Sequence, residues 1–310
     1  VSQEKFGEMV GRISFFVNAG LRFITEMCKM RAFVELWDEI TRERYGITDP
    51  KQRLFRYGVQ VNSLGLTEPQ PENNVTRILL EMLAVTLSKN ARARAVQLPA
   101  WNEALGLPRP WDQQWSLRMQ QVVAYETDLL DYGDIFDGSK EIEAKVEALK
   151  SQARAELKQV LGLGGAASAE AIAYMKRMLV ESNTARLMAI ETGATKIVGV
   201  NAFTTTEPSP LSAGTDAIMT VKDDVEYQQI ESLKAWRAAR AAKAVTAALD
   251  DLRRAAAEGR NIMEPSIACA RAGVTTGEWG GALRAVFGEY RGPTGVALVM
   301  HEAHESKLED

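Results

Sequence analysis

Leu54-Phe-Arg-Tyr-Gly-Val-Gln-Val61 opens the segment around which the rest of the chain is organised. Its short apolar, β-branched and aromatic composition predicts a buried strand, yet Arg56 and Gln60 interrupt the apolar side chains. A turn spans Asn62 to Pro69, and apolar residues then recur at helical spacing from Asn74 to Lys89. The segment is therefore predicted to form a strand, a turn and a helix, and its polar side chains require a ligand or a partner.

A second predicted strand, from Arg94 to Leu98, leads directly into the turn Pro99-Ala-Trp-Asn-Glu-Ala-Leu-Gly-Leu-Pro108. In this turn, Trp101 and Glu103 follow the carboxyl end of a strand that we expect to be parallel to the first. Barrel enzymes hold their active-site residues at that end of their strands. The turn is therefore a candidate for the site of chemistry, and a helix from about Asp112 to Tyr125 follows it.

Upstream of these elements, Gly11 to Gly20 predicts another strand, which contains Ser14. Residues 21–45 then show helical spacing, which Gly46 ends. Strand and helix thus alternate three times, which demands a parallel sheet with right-handed crossovers and helices outside it. We therefore predict an α/β fold over residues 1–126.

After residue 126 the sequence becomes mainly helical in character. The predicted helices are 139–161, 169–190, 225–259, 261–271 and 275–290, with one short strand at 196–200. Gly162-Leu-Gly-Gly165 ends a helix rather than cradling a phosphate, because it does not follow a strand and lacks a lysine. We therefore expect a helical extension over residues 127–290 and a tail over residues 291–310.

Composition argues against several classes of protein. The chain has 310 residues, 46% of them hydrophobic, and a formal net charge of −4, which fits a soluble protein and disfavours nucleic acid as a partner. No apolar run approaches the roughly twenty residues of a membrane span, and no signal-peptide pattern opens the sequence. We expect a cytoplasmic protein with no nucleic-acid or membrane partner, whose natural start precedes Val1.

Cysteine and histidine are scarce. Cys28 and Cys269 fall among apolar positions of predicted helices, so we expect reduced core thiols rather than a disulfide or a metal pair. Both histidines of the chain occur in His301-Glu-Ala-His304. This spacing is not the His-Glu-x-x-His of zinc proteases, and we expect no metal there. A histidine-dependent catalytic triad is excluded upstream of this tail.

Three stretches carry a resemblance to a known family: Arg56-Tyr-Gly-Val-Gln-Val-Asn-Ser-Leu-Gly-Leu-Thr-Glu68, Glu72-Asn-Asn74 and Asn102-Glu-Ala-Leu-Gly-Leu-Pro108. They resemble the adenosylcobalamin-dependent acyl-CoA mutases, and among these the ethylmalonyl-CoA type more than the methylmalonyl-CoA or isobutyryl-CoA types. Gly58 fits the ethylmalonyl-CoA type, because the methylmalonyl-CoA enzymes carry a histidine there. The similarity continues through Ile197-Val-Gly-Val-Asn201, Asn261-Ile-Met-Glu-Pro-Ser266 and residues 287–295.

The resemblance implies that residues 1–126 are the last three βα units of an eight-stranded TIM (β/α)8 barrel. The N-terminal half of the barrel would then lie in another chain or in a segment outside this sequence. The family marks its cobalamin-binding domain with an Asp-x-His-x-x-Gly motif, which this sequence lacks. Residues 291–310 would lead toward that missing domain, and the family also implies a homodimer.

Five residues correspond to binding positions of the family. Arg12 and Ser14 match positions that hydrogen-bond the acyl-CoA substrate, and Gln60 matches a glutamine that contacts its acyl portion. Glu103 matches the carboxylate that binds the ribose hydroxyls of the adenosyl group, and Ala104 matches a small residue at the corrin face. Structural roles are the alternatives: a solvent-facing Arg12, a core amide at Gln60 and a helix-capping Glu103.

The resemblance thus implies an isomerase, a radical carbon-skeleton mutase that interconverts ethylmalonyl-CoA and methylsuccinyl-CoA with adenosylcobalamin as its cofactor. A mutase of the methylmalonyl-CoA or isobutyryl-CoA type is one alternative. A non-catalytic scaffold subunit of such a mutase is another. Without the segments that complete the barrel, we expect the chain by itself to be inactive.

Overall fold

The structure, a computed structural model of the chain, describes residues 2–212, 217–222 and 224–289. Its strands are β1 (Phe15–Ala19), β2 (Tyr57–Val61) and β3 (Ala95–Gln97). Its helices are α1 (Gln3–Val10), α2 (Phe23–Glu43), α3 (Asn73–Thr86), α4 (Pro110–Tyr125), α5 (Lys140–Gly162), α6 (Ala169–Glu191), α7 (Asp224–Ala239), α8 (Ala242–Ala257), α9 (Met263–Arg271) and α10 (Thr276–Phe287). The histidines at 301 and 304 and the tail at 291–310 lie outside the described residues.

The chain forms two compact units, the first reaching to Met219 and the second beginning at Thr220. The boundaries at residues 126 and 290 were inferred from sequence character and family resemblance, and they remain a prediction. Among the helices that the structure describes, none is long and apolar enough to cross a lipid bilayer.

The first unit is built on a parallel sheet in which β1, β2 and β3 lie side by side in chain order. Helix α2 connects β1 to β2, and helix α3 connects β2 to β3. Parallel neighbours require such crossovers, because the chain must return to the same end of the sheet before the next strand starts. The predicted α/β class is therefore confirmed, as a helix-rich fold with a small parallel sheet.

The two faces of the sheet have different surroundings. On one face Tyr57, Val59 and Val61 are at most 2% exposed and pack against α2 and α3. Side chains alternate between faces along a strand, so the residues between them point to the opposite side. There, Phe16 is 63% exposed, and Asn18 is exposed as well. We call this second side the open face.

Helix α5 packs along α2 in the first unit. Ile142 and Val146 are buried in a cluster with Cys28, and Lys150 donates a hydrogen bond to Glu35 at 2.7 Å. The helix thus buries an apolar stripe and forms an ion pair beside it.

Both cysteines are free and buried, which confirms the predicted core thiols. Cys28 lies in α2 and Cys269 in α9, and burial raises the pKa of each thiol. The two side chains are therefore held as neutral thiols at physiological pH.

Residues 196–200 do not form the predicted strand. A single bridge joins Val198 to Ala202, and Gly199 has a φ of 84°. The side chain of Asn201 donates to the carbonyls of Ile190 and Thr195 and accepts from the amide of Ile197. These bonds hold the segment in a turn, and its backbone is therefore not extended for pairing with a β-strand.

The amino-terminal region also differs from the prediction. Residues 3–10 form α1, which Ser2 caps and for which the sequence predicted no element. Strand β1 then begins at Phe15, so Ser14 lies just before it rather than within it.

In the second unit, α8, α9 and α10 bury Leu252, Cys269 and Ala282 against one another. The sequence predicted one helix over residues 225–259, but the chain breaks between α7 and α8 at Arg240 and Ala241. Arg240 instead forms an ion pair with Glu278, and its hydrogen bonds, with those of Thr275, lower the pKa of that carboxyl.

Candidate functional site

An apolar row of residues crosses the open face. In the register of the sheet Phe16 pairs with Gly58, and Gly58 pairs with Ala95. A Cβ at Gly58 would lie 3.3 Å from Cδ2 of Phe16, so the aromatic ring rests against the glycine backbone. The apolar row (Phe16, Gly58, Ala95) therefore forms a shallow floor with an aromatic ring above the glycine.

A second row, nearer the carboxyl ends of the strands, consists entirely of carboxamides. Asn18 pairs with Gln60, and Gln60 pairs with Gln97. Asn18 and Gln97 are exposed and Gln60 is half-buried. In the part of the chain that the structure describes, none of these three carboxamides makes a hydrogen bond. Sequence reasoning found Gln60 but missed Asn18 and Gln97 in this amide row (Asn18, Gln60, Gln97).

The turn after β3 lies at the end of the sheet where the strands have their carboxyl termini, as does the carboxyl end of β2. Glu103 and Ala104 are exposed within it. Their backbone is fixed by hydrogen bonds from Glu103 N to Ala100 O at 3.1 Å and from Leu105 N to Asn102 O at 2.8 Å. Gln60, near the carboxyl end of β2, therefore lies toward the same end of the sheet as the turn that carries Glu103 and Ala104.

Asp112, in the first turn of α4, holds this turn in place. Its side chain is fully buried. It accepts hydrogen bonds from Trp101 Nε1 at 2.9 Å, Asn102 Nδ2 at 2.9 Å, Arg109 N at 2.8 Å and Arg109 Nε at 3.0 Å. Burial acts to raise the pKa of Asp112, but the hydrogen bonds from Arg109, Asn102 and Trp101 outweigh it and lower that pKa. The carboxylate is thus charged and fully engaged at neutral pH.

A later segment of the first unit also contacts the turn. Asn102 Nδ2 donates to Ala217 O at 3.0 Å, and Met219 N donates to Leu107 O at 2.7 Å. Ile218 lies so close to Gly106 that a Cβ there would come within 2.8 Å of its Cδ1. The turn that carries Glu103 is therefore braced by residues more than a hundred positions away.

Arg12 and Ser14 lie at the other end of the sheet, where the strands begin. Both are exposed, in the connection between α1 and the amino end of β1. The structure therefore does not bring them together with Glu103, and their predicted contacts with the substrate remain a prediction.

Glu81 is a buried carboxyl that the sequence analysis did not identify. It is 1% exposed in α3, and its Oε2 has no hydrogen-bond partner among the residues that the structure describes. A Cβ at Gly65, in the connection that follows β2, would lie 3.5 Å from its Oε1. Burial, reinforced by the charge of Glu26, raises the pKa of Glu81 to about 8, although Arg77 opposes the rise. Glu81 is thus protonated at neutral pH. It lies next to the connection that follows β2, the strand that carries Gln60 of the amide row.

An apolar groove of about 580 Å³ lies away from these residues, between β1, α2 and α5. Phe15 and Val17 line it, and both belong to the face opposite the amide row. Within the described ranges no group of three or more acidic, histidine or cysteine side chains is arranged to hold a metal ion. The candidate site is therefore the open face together with the turn at the carboxyl ends of its strands.

The family model for methylmalonyl-CoA mutase matches residues 5–289. This range contains all three strands of the sheet, the amide row and the turn with Glu103. The chain belongs to this family.

Individual relatives differ in their similarity to the chain. It is 68% identical to the ethylmalonyl-CoA mutase of Cereibacter sphaeroides, over 96% of this chain and 45% of that protein. It is 67% identical to the ethylmalonyl-CoA mutase of Methylorubrum extorquens, over 96% of this chain and 43% of the relative. Identity to the methylmalonyl-CoA mutase of Escherichia coli is 33%, over 98% of this chain and 42% of that enzyme. The chain thus spans less than half the length of these relatives.

Proposed function

We propose that the chain is part of an isomerase, an adenosylcobalamin-dependent carbon-skeleton mutase that interconverts ethylmalonyl-CoA and methylsuccinyl-CoA. The observation that carries this proposal is the 68% identity to an ethylmalonyl-CoA mutase, twice the 33% identity to a methylmalonyl-CoA mutase. Gly58 supports the same substrate, because the Phe16 ring rests where a larger side chain at this position would extend.

The positions of the binding residues suit a long substrate. A five-residue strand such as β2 is roughly 17 Å long at about 3.3 Å per residue. An acyl-CoA extended along the open face could reach Arg12 and Ser14 at the amino edge while its acyl group lies at Gln60. In this arrangement the amide of Gln60 hydrogen-bonds the acyl group and is not itself a proton source at neutral pH.

Glu103 and Ala104 suit the adenosyl part of the cofactor. The Glu103 carboxylate is exposed and forms no ion pair among the described residues, so its oxygens can accept hydrogen bonds from the two ribose hydroxyls. Beside it, the methyl side chain of Ala104 permits close approach of a flat macrocycle. When bound, adenosylcobalamin supplies the radical that begins hydrogen abstraction, and the protein orients the reactants and excludes water.

The barrel itself is part of this proposal. We infer that β1, β2 and β3 are the last three strands of a TIM barrel, whose other strands and cobalamin-binding domain complete the intact protein. The intact protein would be a homodimer, and the exposed Leu179 and Met188 of α6 are apolar surface that such an assembly could cover. The open face would then be the barrel interior.

The 310-residue chain on its own should not form a compact, cooperatively unfolding monomer. In the described part of the chain no strand pairs with the outer side of β1 or of β3, and the open face exposes Phe16. Analytical ultracentrifugation combined with thermal unfolding tests this expectation. A monodisperse monomer with one sharp transition would contradict it and would count against an incomplete barrel.

Glu103→Gln and Gln60→Ala should impair the intact mutase in different ways. Glu103→Gln keeps the shape of the side chain but removes the charge that strengthens hydrogen bonds to ribose, so half-maximal turnover should require more adenosylcobalamin. Gln60→Ala should leave this requirement unchanged and lower kcat/KM for the acyl-CoA, a loss of about one to three kcal/mol of transition-state stabilisation. Separate titrations of cofactor and substrate measure the two effects.

Glu143→Gln and Gln159→Ala are matched controls, because both residues are exposed on α5. Turnover of the intact wild-type protein with ethylmalonyl-CoA is the reference for every variant. If Glu103→Gln and Gln60→Ala behave like these controls, neither residue belongs to the active site. If the intact wild-type protein does not convert ethylmalonyl-CoA at all, the proposed substrate is wrong.

A further inference from the structure

We propose that Asn18 and Gln97 act together with Gln60 as one binding row for the oxygen atoms of a carboxylated acyl group. This inference rests on the proposed function, because it assigns the acyl end of the acyl-CoA to a particular part of the open face. It adds two binding residues that neither the sequence pattern nor the family resemblance identified.

The register of the sheet fixes the geometry of the row. Asn18 pairs with Gln60 and Gln60 with Gln97, so the three side chains leave neighbouring strands on the same side. Adjacent strands lie about 4.8 Å apart, and the row therefore spans roughly 10 Å. A small acyl group lying over Gln60 is within reach of the longer side chain of Gln97 on one side and of Asn18 on the other.

The hydrogen-bonding capacity of the row is unused. Each carboxamide offers two N–H donors and one carbonyl acceptor, and none of the three has a partner among the residues that the structure describes. An apolar protein layer placed over this face would bury those groups unsatisfied, at a cost for each of them. A ligand rich in oxygen atoms, in contrast, satisfies the N–H donors directly.

Neutral donors dominate this part of the surface because the neighbouring cations are engaged elsewhere. Lys29 Nζ donates to the backbone carbonyl of Asn18 at 2.8 Å and pairs with Glu26. Arg56 donates to the carbonyls of Gly11 and Lys51. The acyl carboxylate and the thioester oxygen therefore meet amide N–H groups, which bind oxygen anions without exchanging a proton near neutral pH.

The apolar row beside the amide row completes the recognition of the acyl group. Phe16 and Ala95 flank Gly58 one step toward the amino ends of the strands. An alkyl branch on the acyl group can rest there while its oxygens face the carboxamides. The apolar row thus contacts the alkyl part of a branched, carboxylated acyl group, and the amide row binds its oxygen atoms.

The experiment measures binding of two CoA esters to the intact protein by titration calorimetry without cofactor. Ethylmalonyl-CoA carries the free carboxylate, and butyryl-CoA has the same carbon chain without it. Asn18→Ala and Gln97→Ala should each weaken binding of ethylmalonyl-CoA about tenfold, as expected for one hydrogen bond to a charged group, and butyryl-CoA less. Gln97→Glu should weaken ethylmalonyl-CoA further, because it places a negative charge against the carboxylate.

Gln159→Ala, an exposed carboxamide on α5, is the control and should bind both esters like the wild-type protein. Neither the carboxamide of Asn18 nor that of Gln97 has a hydrogen-bond partner among the described residues, so the two alanine variants should melt within a degree or two of the wild-type protein. Unchanged binding of ethylmalonyl-CoA in both alanine variants would overturn the row while leaving the proposed function in place. Equal weakening of the two esters would overturn the assignment to the carboxylated acyl group. Absence of ethylmalonyl-CoA binding by the wild-type protein would overturn both proposals.

Discussion

Asp112→Ala should destabilise the first unit by about 3–5 kcal/mol, because it removes the acceptor from a buried, charge-assisted network. Asp112 is fully buried and accepts hydrogen bonds from Trp101, Asn102 and Arg109. After the substitution, the indole N–H of Trp101 and one N–H of the Asn102 carboxamide lose their acceptor, and leaving each of them unsatisfied costs its desolvation free energy. The turn that carries Glu103 should loosen as well.

Thermal unfolding and hydrogen exchange of the intact protein measure these two consequences. Amides of residues 99–109 should exchange faster in Asp112→Ala, while those of β1 and β2 change little. Asp250→Ala is the matched control, because Asp250 forms an exposed pair with Arg253 and such pairs contribute about 0–1 kcal/mol. A melting temperature of Asp112→Ala equal to that of the control would refute the buried-network account.

The sign of the acid dependence follows from the lowered pKa of Asp112. The unfolded chain binds a proton at this carboxyl at a higher pH than the folded chain does. The contribution of Asp112 is therefore complete above the unfolded pKa and is lost as the pH falls through the folded pKa. In Asp112→Asn the free energy of unfolding should accordingly fall less steeply as the pH is lowered into the acidic range.

Raising the pH from about 5 to about 8 should lower the free energy of unfolding through Glu81. Its folded pKa is raised to about 8, so between the usual value of 4.5 and that point the folded protein holds a proton that the unfolded chain releases. Stability therefore falls as pH rises through this window, by about 1.4 kcal/mol for each pH unit at most. Below the window the effect vanishes, because both states are protonated.

Glu81→Gln should remove this dependence and stabilise the intact protein near pH 8 by about 2–4 kcal/mol, since the amide carries no charge to desolvate. Melting temperatures near pH 6 and pH 8 provide the comparison. Glu72→Gln, an exposed residue just before α3, should leave the pH dependence of the wild-type protein unchanged. Identical pH profiles for Glu81→Gln and the wild-type protein would show that Glu81 ionises normally.

The sequence was sufficient to predict the βα units because periodicity and strand composition are local signals. It failed where short-range hydrogen bonds override them, as at Asn201, whose side chain closes a turn across residues predicted to be a strand. It also placed Ser14 inside β1, because apolar composition does not mark the residue at which pairing begins.

The candidate site was predictable only in part, for a physical reason. Gln60 could be inferred because it interrupts an apolar strand, and Glu103 because it follows the carboxyl end of a predicted strand. Asn18 and Gln97 join them only through the register of pairing, which depends on strands more than thirty residues apart. Glu81 did leave a signal, since it lies three residues after Ile78 and four before Val85 on the buried stripe of α3.

Lys29 has a consequence for how the sheet can be extended. The carbonyl of Ala19 accepts from the backbone amide of Asn62, which directly follows β2, so by alternation the carbonyl of Asn18 faces the outer side of β1. There it accepts a hydrogen bond from Lys29. An incoming strand must therefore end its ladder before Asn18 or displace an ammonium group to go further. Lys29 therefore limits the register in which another strand can pair with β1, and it disfavours non-specific edge-to-edge pairing of chains along this strand.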